Sequence, residues 1–234
     1  MAREPQSPWK VRARTWPKAC CVLAALAGLL GLLPVALAYL ASSPAAQQVK
    51  PHALTMHLVW LAITAAPLGI ALAGEVPRPS LWLGAPVLGW AGGAWAAAQV
   101  SRVPPHFVLG LLVAVGLFAL GLGLGWWLGR ARSVGAAGLG LLLTTFLAIL
   151  PARGGLGERA PSPAFARLTL EFSPATWVLE SAGLDWMRHA FVYGPLQSDR
   201  FERAPVDGKL AGTLACVLGC AAMVVGRLRA RRTF

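Results

Sequence analysis

The chain has 234 residues, of which 56% are hydrophobic and only 13% charged, with 21 Lys and Arg against 9 Asp and Glu. Soluble domains carry about 25% charged residues, so this composition excludes a soluble enzyme, a disordered tail and a disulfide-stapled secreted domain. The net charge of +12 does not point to nucleic acid, because the cations flank apolar runs, where they set membrane topology.

Crossing the hydrocarbon core takes about 20 apolar residues in a helix. Six stretches meet that need, near Ala19–Ala41, Thr55–Gly74, Leu81–Val100, His106–Gly129, Val134–Pro151 and Gly208–Gly226. The expected fold is therefore an all-α, polytopic helical membrane protein with six transmembrane helices. Residues 1–18 form a basic cytoplasmic or interfacial start, 19–151 five spans, 152–207 an extracytoplasmic segment, 208–226 the sixth span and 227–234 a basic cytoplasmic tail.

In the leader, Trp9 and Trp16 alternate with Lys10, Arg12, Arg14 and Lys18. A short basic helix there would put indole rings at the headgroups and cations near anionic lipid; the alternative is a basic tail that only fixes topology. The first span, with its basic leader and Ala36-Leu37-Ala38, also fits a cleavable signal peptide, whose removal after residue 38 would leave five spans in the same orientation.

Breaks between spans carry Pro and charge: Pro44 and Pro51, then Glu75-Val76-Pro77-Arg78-Pro79, then Arg102 with Pro104-Pro105, then Arg130 and Arg132. The leader, Arg78, Arg130, Arg132 and the terminal Arg227, Arg229, Arg231 and Arg232 fall on one face, against Lys50 and Arg102 in the short loops of the other. The Lys/Arg bias places both termini in the cytoplasm of a cell (inner or plasma) membrane. Glu75 and Arg78 are the charges of the connection between spans two and three. They are candidates for docking a cytoplasmic partner, or the ends of a simple turn stopped by Pro77 and Pro79.

Gly121, Gly125 and Gly129 recur every four residues in the fourth span, as do Gly208, Gly212, Cys216 and Cys220 in the sixth. Small residues at that spacing let another helix approach closely, either inside one bundle or across a dimer seam. The cysteines read as small packing residues. His57 and His106 raise the question of haem, but both fall near span ends, where interfacial histidines are expected. No charged side chain sits at mid-span, and there is no Gly-x-Ser-x-Gly, His-Glu-x-x-His or Gly-Lys-Ser/Thr phosphate loop. The sequence thus offers no catalytic group, metal site or cofactor site of its own.

Residues 152–207 hold Glu158, Glu171, Glu180, Asp185, Asp199, Glu202 and Asp207, most of the chain's acids. Two short helices are predicted in this segment. Ser173 serves as N-cap with Pro174 at the first helical position, Ala175–Ala182 follow, and Gly183 takes the C′ position. Asp185 caps a second helix over Trp186–Tyr193. Trp177, Trp186, Met187, Phe191 and Tyr193 make this an aromatic hairpin expected on, or dipping into, the outer leaflet. Within it, Asp185-Trp186-Met187-Arg188-His189 forms a candidate recognition surface, with Trp186 and Arg188 as the contacts.

A basic start, six spans, both ends inside and short helices in the long segment before the last span resemble the permease subunits of ABC-2-type ABC transporters. The stretch Leu170-Glu171-Phe172-Ser173-Pro174-Ala175-Thr176 resembles the Ser/Asn-Pro-Ala segment such permeases carry there. The resemblance implies a permease-like subunit, without enzymatic chemistry, that pairs with a second permease chain and a separate cytoplasmic ATPase. That ATPase would dock at Gly74–Ser80, a very short loop that lacks the family's Glu-Arg-x-x-Gly-Thr pattern and keeps only Glu75 as its relic. The alternative is a non-transporting membrane scaffold or assembly factor whose outer segment binds a partner.

Overall fold

The computed structural model describes residues 36, 52–75, 83–101, 107–149, 171–184 and 208–232. Among these the chain is all-helical: α1 (Ala53–Glu75), α2 (Gly84–Ser101), α3 (Phe107–Leu128), α4 (Arg130–Ile149), α5 (Pro174–Ser181) and α6 (Gly208–Arg232). Three of them, over Ala53–Gly74, Phe107–Leu128 and Leu210–Arg229, are long and apolar enough to cross a membrane. α4 is apolar over a shorter stretch, Arg132–Ala148, and α2 carries Pro86, Gln99 and Ser101 among its Gly, Ala and Trp residues. The expected first span, Ala19–Ala41, lies outside the described residues apart from Ala36, which is helical.

α3 is the central helix. It packs most extensively against α6 on one side and α1 on the other, and 61% of its span is buried against 28% for α6. Backbone meets backbone at both contacts. A β-carbon on Gly121 would collide with the Ala66 carbonyl oxygen, and one on Gly125 would lie 2.6 Å from the Ile70 carbonyl oxygen. On the other side, a β-carbon on Gly116 would lie 2.8 Å from the Cys216 Cα, and one on Gly226 2.5 Å from the Gly123 carbonyl oxygen. Along both contacts residue numbers rise together, so α1, α3 and α6 run parallel.

The α6 contact includes Gly212 and Cys216 of the expected four-residue series but then leaves it, running through Gly212, Gly219 and Gly226, seven residues apart. Gly219 meets the Gly116 carbonyl, whereas Cys220 is exposed. Each four-residue step overshoots a full turn by about 40°, so a four-residue series drifts off the seam, while a seven-residue repeat stays on it.

Gly129 departs from its expected packing role in the same way. It ends α3 at φ +76°, a conformation glycine adopts without a Cβ penalty, and a β-carbon there would meet nothing. Its N–H donates to the Gly125 carbonyl at 3.0 Å, and its own carbonyl accepts from Arg132 and Ser133. One residue therefore both stops α3 and starts α4. This is why α4 begins at Arg130 rather than Val134, with the two arginines in its first turn. At the other end, α6 runs on to Arg232 and carries the basic residues beyond the expected Gly226 limit.

α2 and α4 run antiparallel to α1 and pack on it. α4 is fastened at a proline. Pro67 lies inside α1 and has no N–H, so the Ile63 carbonyl loses its helical donor. The Thr144 hydroxyl of α4 donates to that carbonyl at 2.8 Å, and Gly140 lies open to the Pro67 ring. Thr144→Val should cost about 1 kcal/mol, because it leaves a half-buried carbonyl unpaired. In a Pro67→Ala background, where the restored backbone N–H can serve Ile63, the same change should cost only a few tenths. Unfolding of the four proteins in detergent tests this; equal costs in both backgrounds would refute the proline lock.

Candidate functional site

α5 forms as its sequence dictates. Ser173 holds the extended N-cap conformation with Pro174 next to it, and Gly183 at φ +72° ends the helix. The Gly183 and Leu184 N–H groups donate back to the Glu180 and Leu179 carbonyls, each at 2.9 Å, the paired closure of a Schellman motif. The Ser173 hydroxyl makes no capping bond. Instead, Trp177 Nε1 donates to the Glu171 carbonyl at 2.7 Å and ties the approach to the helix.

The position of α5 departs from the expectation of an interfacial helix. Pro174, Ala175, Thr176, Val178, Leu179 and Ser181 are buried, and the helix packs against α1, α3, α4 and α6. A β-carbon on Gly110, at the start of α3, would lie 2.6 Å from the Val178 carbonyl oxygen, and one on Gly212, near the start of α6, 2.9 Å from Ser181 Oγ. α5 is thus a plug seated where the three parallel helices begin. The short apolar face Ala175-Val178-Leu179-Ala182 explains this: at helical spacing it fits a bundle whose facing residues are Gly and Ala. The Ser173 and Thr176 hydroxyls are buried in the plug without a hydrogen-bond partner among the described residues.

A second buried polar group lies between α1 and α2. His57 is fully buried, not interfacial. Its imidazole packs against Gly93, where a β-carbon would lie 2.8 Å from Nε2, and Nε2 is 3.4 Å from the Trp90 carbonyl oxygen. A carbonyl only accepts, so in this bond Nε2 carries the proton. Close packing on glycine fills the space beside the ring that a haem would need. Trp90 is also fully buried, meets Phe118 edge-to-face at 5.4 Å, and holds its indole Nε1 without a partner. No cluster of three metal-ligating side chains occurs among the described residues.

The other expected residues fall as follows. Gly121 and Gly125 face α1, and Gly212 faces α3 and α5. Gly208 opens α6, and Glu75 closes α1. Arg78, Trp186 and Arg188, with the second arm of the hairpin, His106, Cys20 and Cys21, lie outside the described residues. Cys216 is half-buried and donates to the Leu112 carbonyl at 3.4 Å, a packing role. The residues that sequence reasoning missed are Gly116, Gly123, Gly219 and Gly226. Their seven-residue spacing was the signal that could have found them. Comparison with family models, with curated proteins and with solved structures finds no match to this chain.

Proposed function

We propose that the chain is a six-span permease-like subunit of an ABC-type transporter in the cell's inner or plasma membrane, with both termini cytoplasmic. It works as a homo- or heterodimer with a separate ATP-binding subunit. The observation that carries this reading is α5. The Ser-Pro-Ala segment that resembles the ABC-2 permeases forms a helix wedged between α1, α3, α4 and α6, and it precedes the last span in the chain. The recognition surface of the scaffold alternative, Trp186 and Arg188, lies outside the described residues. A plug at one end of parallel helices is suited to gating or shielding the exit of a path at the dimer interface.

In this role the chain supplies shape and movement, and ATP acts on the other subunit. Purification in mild detergent should recover a stoichiometric protein with a Gly-Lys-Ser/Thr phosphate loop. Replacing Glu75 and Arg78 together (Glu75→Gln with Arg78→Gln) should remove that protein from the preparation while membrane insertion stays normal. Recovery of the ATPase with the double variant would refute the docking role. A preparation with no ATPase, but with an outer partner bound through Trp186 and Arg188, would move the assignment to a scaffold.

A further inference from the structure

The end of the bundle opposite α5 carries a built arrangement of its own. The Arg229 guanidinium of α6 lies over the Trp127 ring of α3, 4.9 Å from its centroid. That distance lies within the range in which a cation is attracted to an indole face. Trp127 is half-exposed, and Arg229 is exposed. Directly toward the middle of the bundle lie exposed Leu124 on α3 and exposed Val224, Val225 and Leu228 on α6.

This order, from apolar side chains through an indole ring to a guanidinium group, matches the passage from acyl chains through the interface to the headgroups. A water-soluble acidic partner would have no use for the apolar part. A phospholipid uses both: its chains lie along Leu124 and Val225 while its phosphate meets Arg229. Guanidinium is well suited to that phosphate because its donors form a planar fork.

We propose that the α3–α6 end is a binding site for one anionic phospholipid, with Trp127 fixing Arg229 in place. The inference rests on the membrane-spanning reading alone and is independent of transport.

The full-length protein in detergent would be titrated with phosphatidylglycerol and with phosphatidylcholine of the same acyl chains, and bound lipid counted by native mass spectrometry. Phosphatidylglycerol should bind at least about fivefold more tightly, the contribution of about one basic residue near a charged lipid. Arg229→Gln should remove nearly all of that preference, and Arg229→Lys should retain most. Glycerol 1-phosphate, the free headgroup, should not compete at equal concentration. Equal binding of the two lipids by the unaltered protein, a comparison that needs no variant to fold, would overturn the proposal and leave Arg229 to an acidic protein surface. Displacement by glycerol 1-phosphate, or an Arg229→Gln protein with normal elution and undiminished preference, would overturn it as well.

Discussion

Gly121→Ala is expected to destabilise the protein by about 3 kcal/mol, the upper end of the cost of overpacking a tight core. The added carbon has nowhere to go, because it would overlap the Ala66 carbonyl oxygen and lie 2.9 Å from the carbonyl carbon. The atom it meets is backbone, so no rotamer change relieves the clash, and α1 must move away from α3. Gly69 faces the same contact from the α1 side, against the Phe118 carbonyl and Leu122 N. Gly121→Leu should therefore yield little folded protein. Gly92→Ala is the matching control. Gly92 is exposed on α2 with open space around it, and alanine there should be neutral or stabilise the helix by up to about 1 kcal/mol. Unfolding in detergent, followed by tryptophan fluorescence, separates the two. Equal stability of Gly121→Ala and the unaltered protein would show that the α1–α3 contact is looser than described.

Trp90→Ala should cost about 3–5 kcal/mol, as expected for truncating a fully buried aromatic side chain. The ring fills the space between α1, α2 and α3, and its edge-to-face contact with Phe118 contributes about 0.5–1.5 kcal/mol of that. Trp90→Phe is the informative companion. Indole Nε1 has no partner, so losing it removes an unpaired donor and offsets part of the lost volume. The phenylalanine variant should thus lie much closer to the unaltered protein than to the alanine variant. Unfolding midpoints of the three proteins give the answer; a phenylalanine variant as weak as the alanine one would mean that Nε1 is satisfied by water.

Much of the architecture was legible because lipid imposes a simple grammar: an apolar run ends where Pro or charge interrupts it. The expected limits Thr55–Gly74 and His106–Gly129 differ from the observed helices by two residues or fewer. α5 was legible from Ser173, Pro174 and Gly183, residues whose backbone preferences act locally. What failed was what depends on the third dimension. Gly129 shares its spacing with Gly121 and Gly125, yet its backbone is left-handed, and spacing does not encode the sign of φ. His57 lies near a span end, where water was expected, but α2 crosses it there and buries the ring. The burial of α5 was equally hidden, because a sequence states how apolar a helix is but not whether lipid or protein covers it.

The parallel course of α1, α3 and α6 has a further electrostatic consequence. Each peptide dipole points along its helix, leaving roughly half a positive charge at the start and half a negative charge at the end. Three such starts gather around α5, and three such ends gather at the opposite face, with the antiparallel α2 and α4 offsetting two of them. In a medium of low dielectric these partial charges are weakly screened. Arg227 and Arg229 sit in the last two turns of α6, where a cation near a helix terminus is worth about 0.3–1 kcal/mol. Arg227 and Arg229 thereby offset the field that the chain's own helix alignment creates.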